Sequence, residues 1–303
     1  ITEVCLIVGY FLTWKKWTTG RAKRMHIALG FALGLFSWIT MAIIVSILGF
    51  MMDPGNWLTD RTLLTGFSNP VYLPQLAFRT PLALTMAGVV AAFLTIFFVR
   101  KDDPFRNQAL KAINLWTLTF APLTLLGGWW YMQVIPDAMR ENVGAALLTL
   151  QFESWQSEFL KIMVATAAAV YLIAQVSVLR PNWVPRIAYA AGLLGIIWLT
   201  GHFERVREFV RKPYVIGKYM YANGIRAEDY PLLQRDGVLK YATYSNPLTA
   251  AEAHGLDTDS RDRIQAGKDV FMIACSRCHT GHGINGVIAL FEPLLGPDTW
   301  QSD

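Results

Sequence analysis

The sequence predicts an all-α protein: a polytopic transmembrane bundle of about six segments, followed by a small helical domain outside the membrane. Three observations carry this. Hydrophobic residues make up 53% of the 303-residue chain and charged residues only 16%, with a mean hydropathy of +0.33, which excludes a disordered chain and an ordinary soluble domain. The apolar residues gather into runs near the ~20 that a helix needs to cross the hydrocarbon. After about Gly217 the runs stop and the chain turns polar.

Five runs approach spanning length: Ile27 to Met52, Leu82 to Val99, Leu115 to Ile135, Ile162 to Leu179 and Ile187 to Phe203. Ile1 to Trp14 is apolar but too short to span; it reads as the second half of a helix and counts as a sixth segment. Because the chain opens at Ile1, without methionine and inside an apolar run, it reads as a fragment or a processed product.

The formal net charge of +5 suits a nucleic-acid binder only if the cations share a face. They lie between apolar runs instead, so no nucleic-acid partner is expected. Lys15, Lys16, Arg21, Lys23 and Arg24 follow the first segment; Arg100, Lys101, Arg106 and Lys111 follow the third; Arg180 and Arg186 follow the fifth. The intervening loops are poorer in cations. Positive loops face the cytoplasm, so six crossings leave the tail outside, in the periplasm of a bacterial inner membrane. Trp14, Trp17, Trp116, Trp129, Trp130, Trp155 and Trp183 lie near segment ends, where indoles anchor a span in the interface.

Residues 1–217 are therefore the membrane domain. Residues 218–258 are polar and turn-rich, with Asn223-Gly224, Asp236-Gly237 and Asn246-Pro247, and carry Tyr219, Tyr221, Tyr230, Tyr241 and Tyr244. They read as a periplasmic linker whose tyrosines pack on the membrane domain.

Residues 259–303 carry the strongest motif. Cys275-Ser276-Arg277-Cys278-His279 is C-x-x-C-H, the attachment signature of c-type haem. Two thiols at this spacing reach the two vinyl groups of one porphyrin, and the adjacent imidazole becomes the proximal iron ligand. The competing reading, a zinc or redox CxxC, fits poorly with a tail outside the membrane. Three cysteines build no disulfide framework, and Cys5 reads as a buried thiol.

Residues 259–274 read as a helix, and Ala266-Gly267-Lys268-Asp269-Val270-Phe271 resembles the first helix of class I cytochromes c. That resemblance implies a distal methionine well after the motif, and none follows His279. His282 lies too close to His279 to reach the opposite face of the iron and reads as a loop residue. Either the domain continues beyond Asp303, or the sixth position is open or filled by another chain. The chain thus reads as incomplete at both ends.

The membrane part carries a second resemblance. Glu208-Phe-Val-Arg211-Lys-Pro213-Tyr214-Val-Ile216-Gly217 resembles the E-Y-G-R-Q-P-W-x-I-G stretch of subunit I of cytochrome bd-type quinol oxidases. Lys161-Ile162-Met163-Val164-Ala165 resembles that family's R-I-M-V-A run, and Arg24-Met-His26 with Gly49-Phe-Met-Met-Asp-Pro54 resembles its V-Q-H and G-W-M-Q-N-P. Glu3 and Trp14 match a glutamate and a tryptophan one helix earlier. The six segments would then be the third to eighth helices of subunit I, with the final helix replaced by the haem c tail.

This resemblance implies sites. Met163 takes the position of a low-spin haem b ligand and Lys161 that of an arginine near its propionates, while the partner histidine falls near Thr80, where this chain has Arg79-Thr80. A core role for Met163 is the alternative. The glutamate expected on the sixth segment falls at Gly201, with His202 and Glu204 beside it as stand-ins for a membrane haem or proton site. Glu204 to Arg207 and Glu208 to Arg211 also sit at spacings that pair charges on a helix. Arg211, Pro213 and Tyr214 fall in the quinol-binding stretch, although Lys and Tyr replace its Gln and Trp, and the loop from Pro136 to Glu158 is much shorter than the family's quinol loop. His26 reads as interfacial. By depth, Glu3, Lys161, Met163, His202 and Glu204 all lie toward the outer face, and ionisable groups there are functional candidates.

The expected cofactors are covalent haem c, a membrane haem b or d, and quinone. The expected partners are further membrane subunits, including a homologous second one, quinone and periplasmic cytochromes. The leading function is membrane-bound respiratory electron transfer between a quinone or membrane haem site and the periplasmic haem c. The alternative is a non-catalytic anchor that docks a cytochrome c domain in a larger respiratory complex. A transporter lacks any internal repeat.

Overall fold

The computed structural model describes residues 1–147, 156–241 and 261–276. It divides into two compact units, Ile1–Val210 and Arg211–Asp303.

The first unit is helical. Its elements are α1 (Thr2–Thr13), α2 (Gly20–Met52), the short α3 (Trp57–Asp60) and α4 (Leu63–Phe67), α5 (Tyr72–Phe98), α6 (Arg106–Val134), α7 (Asp137–Leu147), α8 (Gln156–Leu179) and α9 (Arg186–Val210). Among the described residues, α2, α5, α6, α8 and α9 contain five stretches long and apolar enough to cross a membrane, and α1 is a shorter apolar helix. Each of the six apolar runs in the sequence is thus a helix, and large apolar side chains line the outside, Phe31, Phe98 and Leu179 among them. In a bilayer this surface meets lipid, and helices satisfy their own backbone groups.

The turns 14–19, 99–105 and 180–185 share one end of the bundle, here the basic end. At the opposite end, Asn69 fastens the 53–71 connection by donating to the carbonyls of Ser46, Gly66 and Phe67 at 2.9, 3.0 and 3.3 Å. Thr62 caps α4, and Arg61 lies 4.6 Å over the Trp57 ring.

Small residues set the closest helix approach. A Cβ on Gly127 would stand 2.3 Å from the Ala77 carbonyl oxygen, and one on Gly88 2.2 Å from Thr117 Oγ1. Pro81 lacks the N–H that would bond the Ala77 carbonyl within α5, and the bare face of Gly127 covers that carbonyl. The α5–α6 pair is therefore antiparallel with its register fixed at two points.

The connection from Pro136 to Glu158 read as a loop; its first part is α7, which packs on α9. Met139 of α7 joins Met52, Val71, Tyr131 and Ile135 in a buried apolar cluster, and Asn142 donates to the Val210 carbonyl at 3.3 Å. A short helix that buries Met139 between the exposed Asp137, Arg140 and Glu141 is difficult to separate from a polar loop by sequence pattern.

The second unit opens with a hairpin, β1 (Tyr214–Ile216) and β2 (Met220–Tyr221), paired antiparallel with Tyr214 opposite Tyr221. A 3-10 turn, α10 (Tyr230–Asp236) and a second 3-10 turn over Val238–Tyr241 follow, and then α11 (Arg261–Ala274). Sequence reading treated 218–258 as a linker lying on the membrane domain. Residues 211–241 fall in the same compact unit as α11, with the 238–241 turn packed on α11 and Leu239, Ala266 and Asp269 buried.

Candidate functional site

The ionisable groups of the first unit gather where α5 begins and α9 ends. Arg79 Nη2 donates to Glu204 Oε1 at 3.2 Å, and Arg207 Nη2 meets Glu204 Oε2 at 2.7 Å. The spacing of Glu204 and Arg207 places them on one face of α9, and Arg79 enters from α5. Both carboxylate oxygens are thus engaged by charge-assisted contacts, the strong kind. An arginine in the stretch where the family resemblance expects a histidine has become the partner of the sixth-segment carboxylate.

Beside this cluster lie Phe78 and Phe203, with ring centroids 5.6 Å apart, and Tyr131, stacked on Phe78 at 6.1 Å. The Tyr131 hydroxyl donates to Met52 Sδ at 3.2 Å and accepts from Gln75 Nε2 at 3.5 Å. Gln75 is fully buried, and its Oε1 has no hydrogen-bond partner. Sequence reading did not single out Gln75 or Tyr131; the only signal was a lone amide in an apolar run, which period alone does not place on the inner face.

The remaining membrane candidates disperse. His202 stacks on Trp198 with centroids 4.1 Å apart, its Nδ1 3.0 Å from the Trp198 carbonyl one turn earlier. Met163 is 39% exposed, so it is not the enclosed core side chain offered as the alternative, and Lys161 is exposed on the same helix.

Glu3 accepts from Ser37 Oγ at 2.5 Å and from Thr40 Oγ1 at 3.1 Å. Those partners precede Met52, the end of α2, by four turns or so, about 18–22 Å at ~1.5 Å rise per residue. Trp38 Nε1, between these two partners on α2, donates to Thr80 Oγ1 beside Arg79 at 3.1 Å, so Glu3 lies within a turn or two of the level of the Arg79–Glu204 pair. Cys5, expected to be buried, is exposed on α1.

His26 is buried, two turns into α2 from the basic end where it was read as interfacial. It stacks on Tyr10 at 4.3 Å, meets the edge of Trp14 at 5.9 Å, and pairs through Nδ1 with Thr13 Oγ1 at 2.8 Å. Together with Glu3 this holds α1 on α2 at two depths.

Among the described residues, no three His, Cys, Asp or Glu side chains are grouped to hold a metal ion. In the membrane unit Glu204 is thus engaged by two arginines, the His202 ring stacks on Trp198, and Met163 is exposed.

In the second unit, Arg211, Pro213 and Tyr214 come together at the base of the hairpin. Arg211 is buried. The Arg211 carbonyl accepts from Tyr214 N at 3.0 Å and the Pro213 carbonyl from Ala222 N at 2.8 Å. Tyr214 and Tyr221 stack at 4.7 Å, and the Tyr214 hydroxyl pushes the Tyr221 phenol above its ordinary value. Asp236 accepts from Arg235, Lys240 and Tyr241 at 2.7, 2.9 and 2.6 Å. The Arg235 guanidinium first, then Tyr241 and Lys240, hold its carboxyl well below the usual carboxylate range.

The C-x-x-C-H segment begins where α11 ends. Cys275 is a free, half-buried thiol immediately after Ala274. Cys278 and His279 lie outside the described residues.

No protein-family model, curated protein or solved structure matches the chain.

Proposed function

We propose that this chain is a membrane-bound respiratory electron-transfer subunit, similar to subunit I of bd-type quinol oxidases, that exchanges electrons between a quinone or haem site in the membrane and a c-type haem on its second unit. The observation that supports the reading is the C-x-x-C-H sequence at residues 275–279, which follows directly on α11 in a chain that also carries five apolar helices. Thioether formation needs no oxidant: each cysteine S–H adds across a vinyl C=C, sulfur to the inner carbon and hydrogen to the outer.

Haem c, when bound, supplies a one-electron iron centre. The chain supplies the rest. Cys275 and Cys278 would fix the macrocycle, His279 would ligate the iron, and the 238–241 turn packs on the helix that precedes them. The five apolar helices would tether the unit at a bacterial inner membrane, with the second unit on the periplasmic side by the cation order of the loops.

A second reading has its own support. Glu204 is saturated by Arg79 and Arg207, and Met163 is exposed, which favours a first unit that anchors a cytochrome c domain without a membrane haem. Haem staining of a denaturing gel tests covalent attachment, and the pyridine haemochrome spectrum of the membrane-purified chain separates the readings. Haem c with haem b or d supports the oxidase-like subunit; haem c alone supports the anchor; no covalent haem refutes both.

A further inference from the structure

We propose that Asn223 is the positioning residue for haem attachment at Cys275, an inference that rests on reading residues 275–279 as a c-type haem site. The peptide unit between Ala274 and Cys275 is gripped from both sides. Its N–H, that of Cys275, donates to the Phe271 carbonyl at 2.8 Å, inside α11. Its carbonyl, that of Ala274, belongs to the last turn of the helix, where carbonyls lack intrahelical donors. The donor it receives comes from 51 residues earlier in the chain: Asn223 Nδ2, at 3.1 Å. Ser276 N donates to the same Phe271 carbonyl at 2.9 Å, so the peptide planes on both sides of the Cys275 Cα are held and with them the direction in which its side chain leaves the backbone.

Asn223 is itself held. Its Oδ1 accepts from Ile225 N at 3.1 Å. Gly224 takes φ +87°, a conformation that side chains disfavour, and its N–H donates to the Tyr221 carbonyl at 2.9 Å; Tyr221 N donates to the Ile225 carbonyl at 2.8 Å, and Ala222 N to the Pro213 carbonyl at 2.8 Å. The amide is therefore the tip of a turn fastened onto the hairpin. The network also fixes its orientation: one neighbour is an N–H needing an acceptor, the other a carbonyl needing a donor, and only a carboxamide serves both at once. The stretch between the membrane helices and α11 thereby acquires a role that a tether would not need.

Aspartate at 223 isolates the claim, since it keeps the acceptor for Ile225 N–H and puts a carboxylate oxygen against the Ala274 carbonyl. The full-length chain would be produced with c-type haem maturation in the wild-type form and as Asn223→Asp, Asn223→Ala and Tyr241→Phe. Tyr241→Phe is the control, as it removes a hydrogen bond to Asp236 in the same unit without touching Ala274. Covalent haem per chain is read from the haemochrome, together with the reduction potential of the haem that attaches.

The expected result is a loss of covalent haem of roughly 2- to 10-fold in both Asn223 variants, the ratio set by one hydrogen bond, with a shifted potential in the attached fraction and normal values for Tyr241→Phe. Wild-type loading and potential in Asn223→Asp would overturn the proposal. An equal loss in Tyr241→Phe would overturn it too, by making the effect one of general stability. A wild-type chain without covalent haem would instead overturn the haem reading itself, whatever the variants do.

Discussion

Replacing Gly127 by alanine adds one methyl group at the tightest point between α5 and α6. The new Cβ would stand 2.3 Å from the Ala77 oxygen, 2.6 Å from its carbon and 2.7 Å from Phe78 N. These are backbone atoms, so no rotamer relieves the clash. An ordinary carbon-to-oxygen contact is about 3.3–3.6 Å, and the helices must part by roughly 1 Å or bend. Overpacking of this kind costs about 1–3 kcal/mol, against the ~0.5–1 kcal/mol that alanine gains over glycine inside a helix, leaving Gly127→Ala destabilised by about 0.5–2 kcal/mol. Gly201, in α9, is the counterpart: a Cβ there meets nothing within 4 Å, so Gly201→Ala keeps the helix gain of up to ~1 kcal/mol. Equilibrium unfolding of each variant in detergent micelles, followed by far-ultraviolet circular dichroism, measures both. Equal shifts of one sign, or an unchanged Gly127→Ala, would refute the close-approach argument.

Three further outcomes are expected. Cys275→Ala with Cys278→Ala abolishes haem staining while leaving the helix signal of the chain in place, and the gel decides it. Glu204→Gln leaves two part-buried guanidinium groups without their carboxylate and destabilises the first unit by about 1–2 kcal/mol, the range for a part-exposed charge cluster; the loss shrinks in high salt if it is electrostatic, as detergent unfolding at two ionic strengths would show. The depressed Asp236 carboxyl gives the second unit a stability contribution that is complete above the ordinary carboxylate value of about 4 and declines as pH falls below it toward the lower folded value. Asp236→Asn flattens that acid limb of an unfolding curve monitored by tyrosine absorbance, and an unchanged limb would discount the cluster.

What was legible in the sequence follows the physics of each signal. Length and hydropathy report only on solvent preference, and they found every long helix: Ile27 to Met52 lies within α2, and Ile187 to Phe203 within α9. Depth along a helix is a different quantity. Glu3 was placed near the start of an inward-running helix, but the side chains that hold it, Ser37 and Thr40 on the neighbouring helix, are a pairing that no single-chain period encodes. Arg79 was noticed as a departure from an expected histidine and not as a partner for Glu204, since the two lie 125 residues apart. Asn223 was read as half of an Asn-Gly turn, which it is; its second bond, to Ala274, depends on where α11 docks. Local chemistry was visible, and partners across the fold were not.

The same distinction bears on the two functional readings. A motif whose chemistry depends on adjacent residues, such as the two thiols and the imidazole of residues 275–279, carries its own geometry along the chain. A ligand set assembled from several helices has to be complementary at every member, and replacing one member changes what the others do. Arg79 brings a cation to the place where the resemblance expects a neutral imidazole. A carboxylate within reach then gains more from pairing with that cation than from an open coordination position, because an unpaired guanidinium in a part-buried site is costly. Glu204 and Arg79 thus make sense as a coupled pair, with Arg207 spreading the second oxygen's charge. If this coupling is what holds α5 to α9, the losses from Arg79→Gln and Glu204→Gln are not additive: the double variant unfolds at nearly the same denaturant concentration as Glu204→Gln alone. Additive losses would mean that the two residues act independently, and would return Glu204 to the membrane-site candidates.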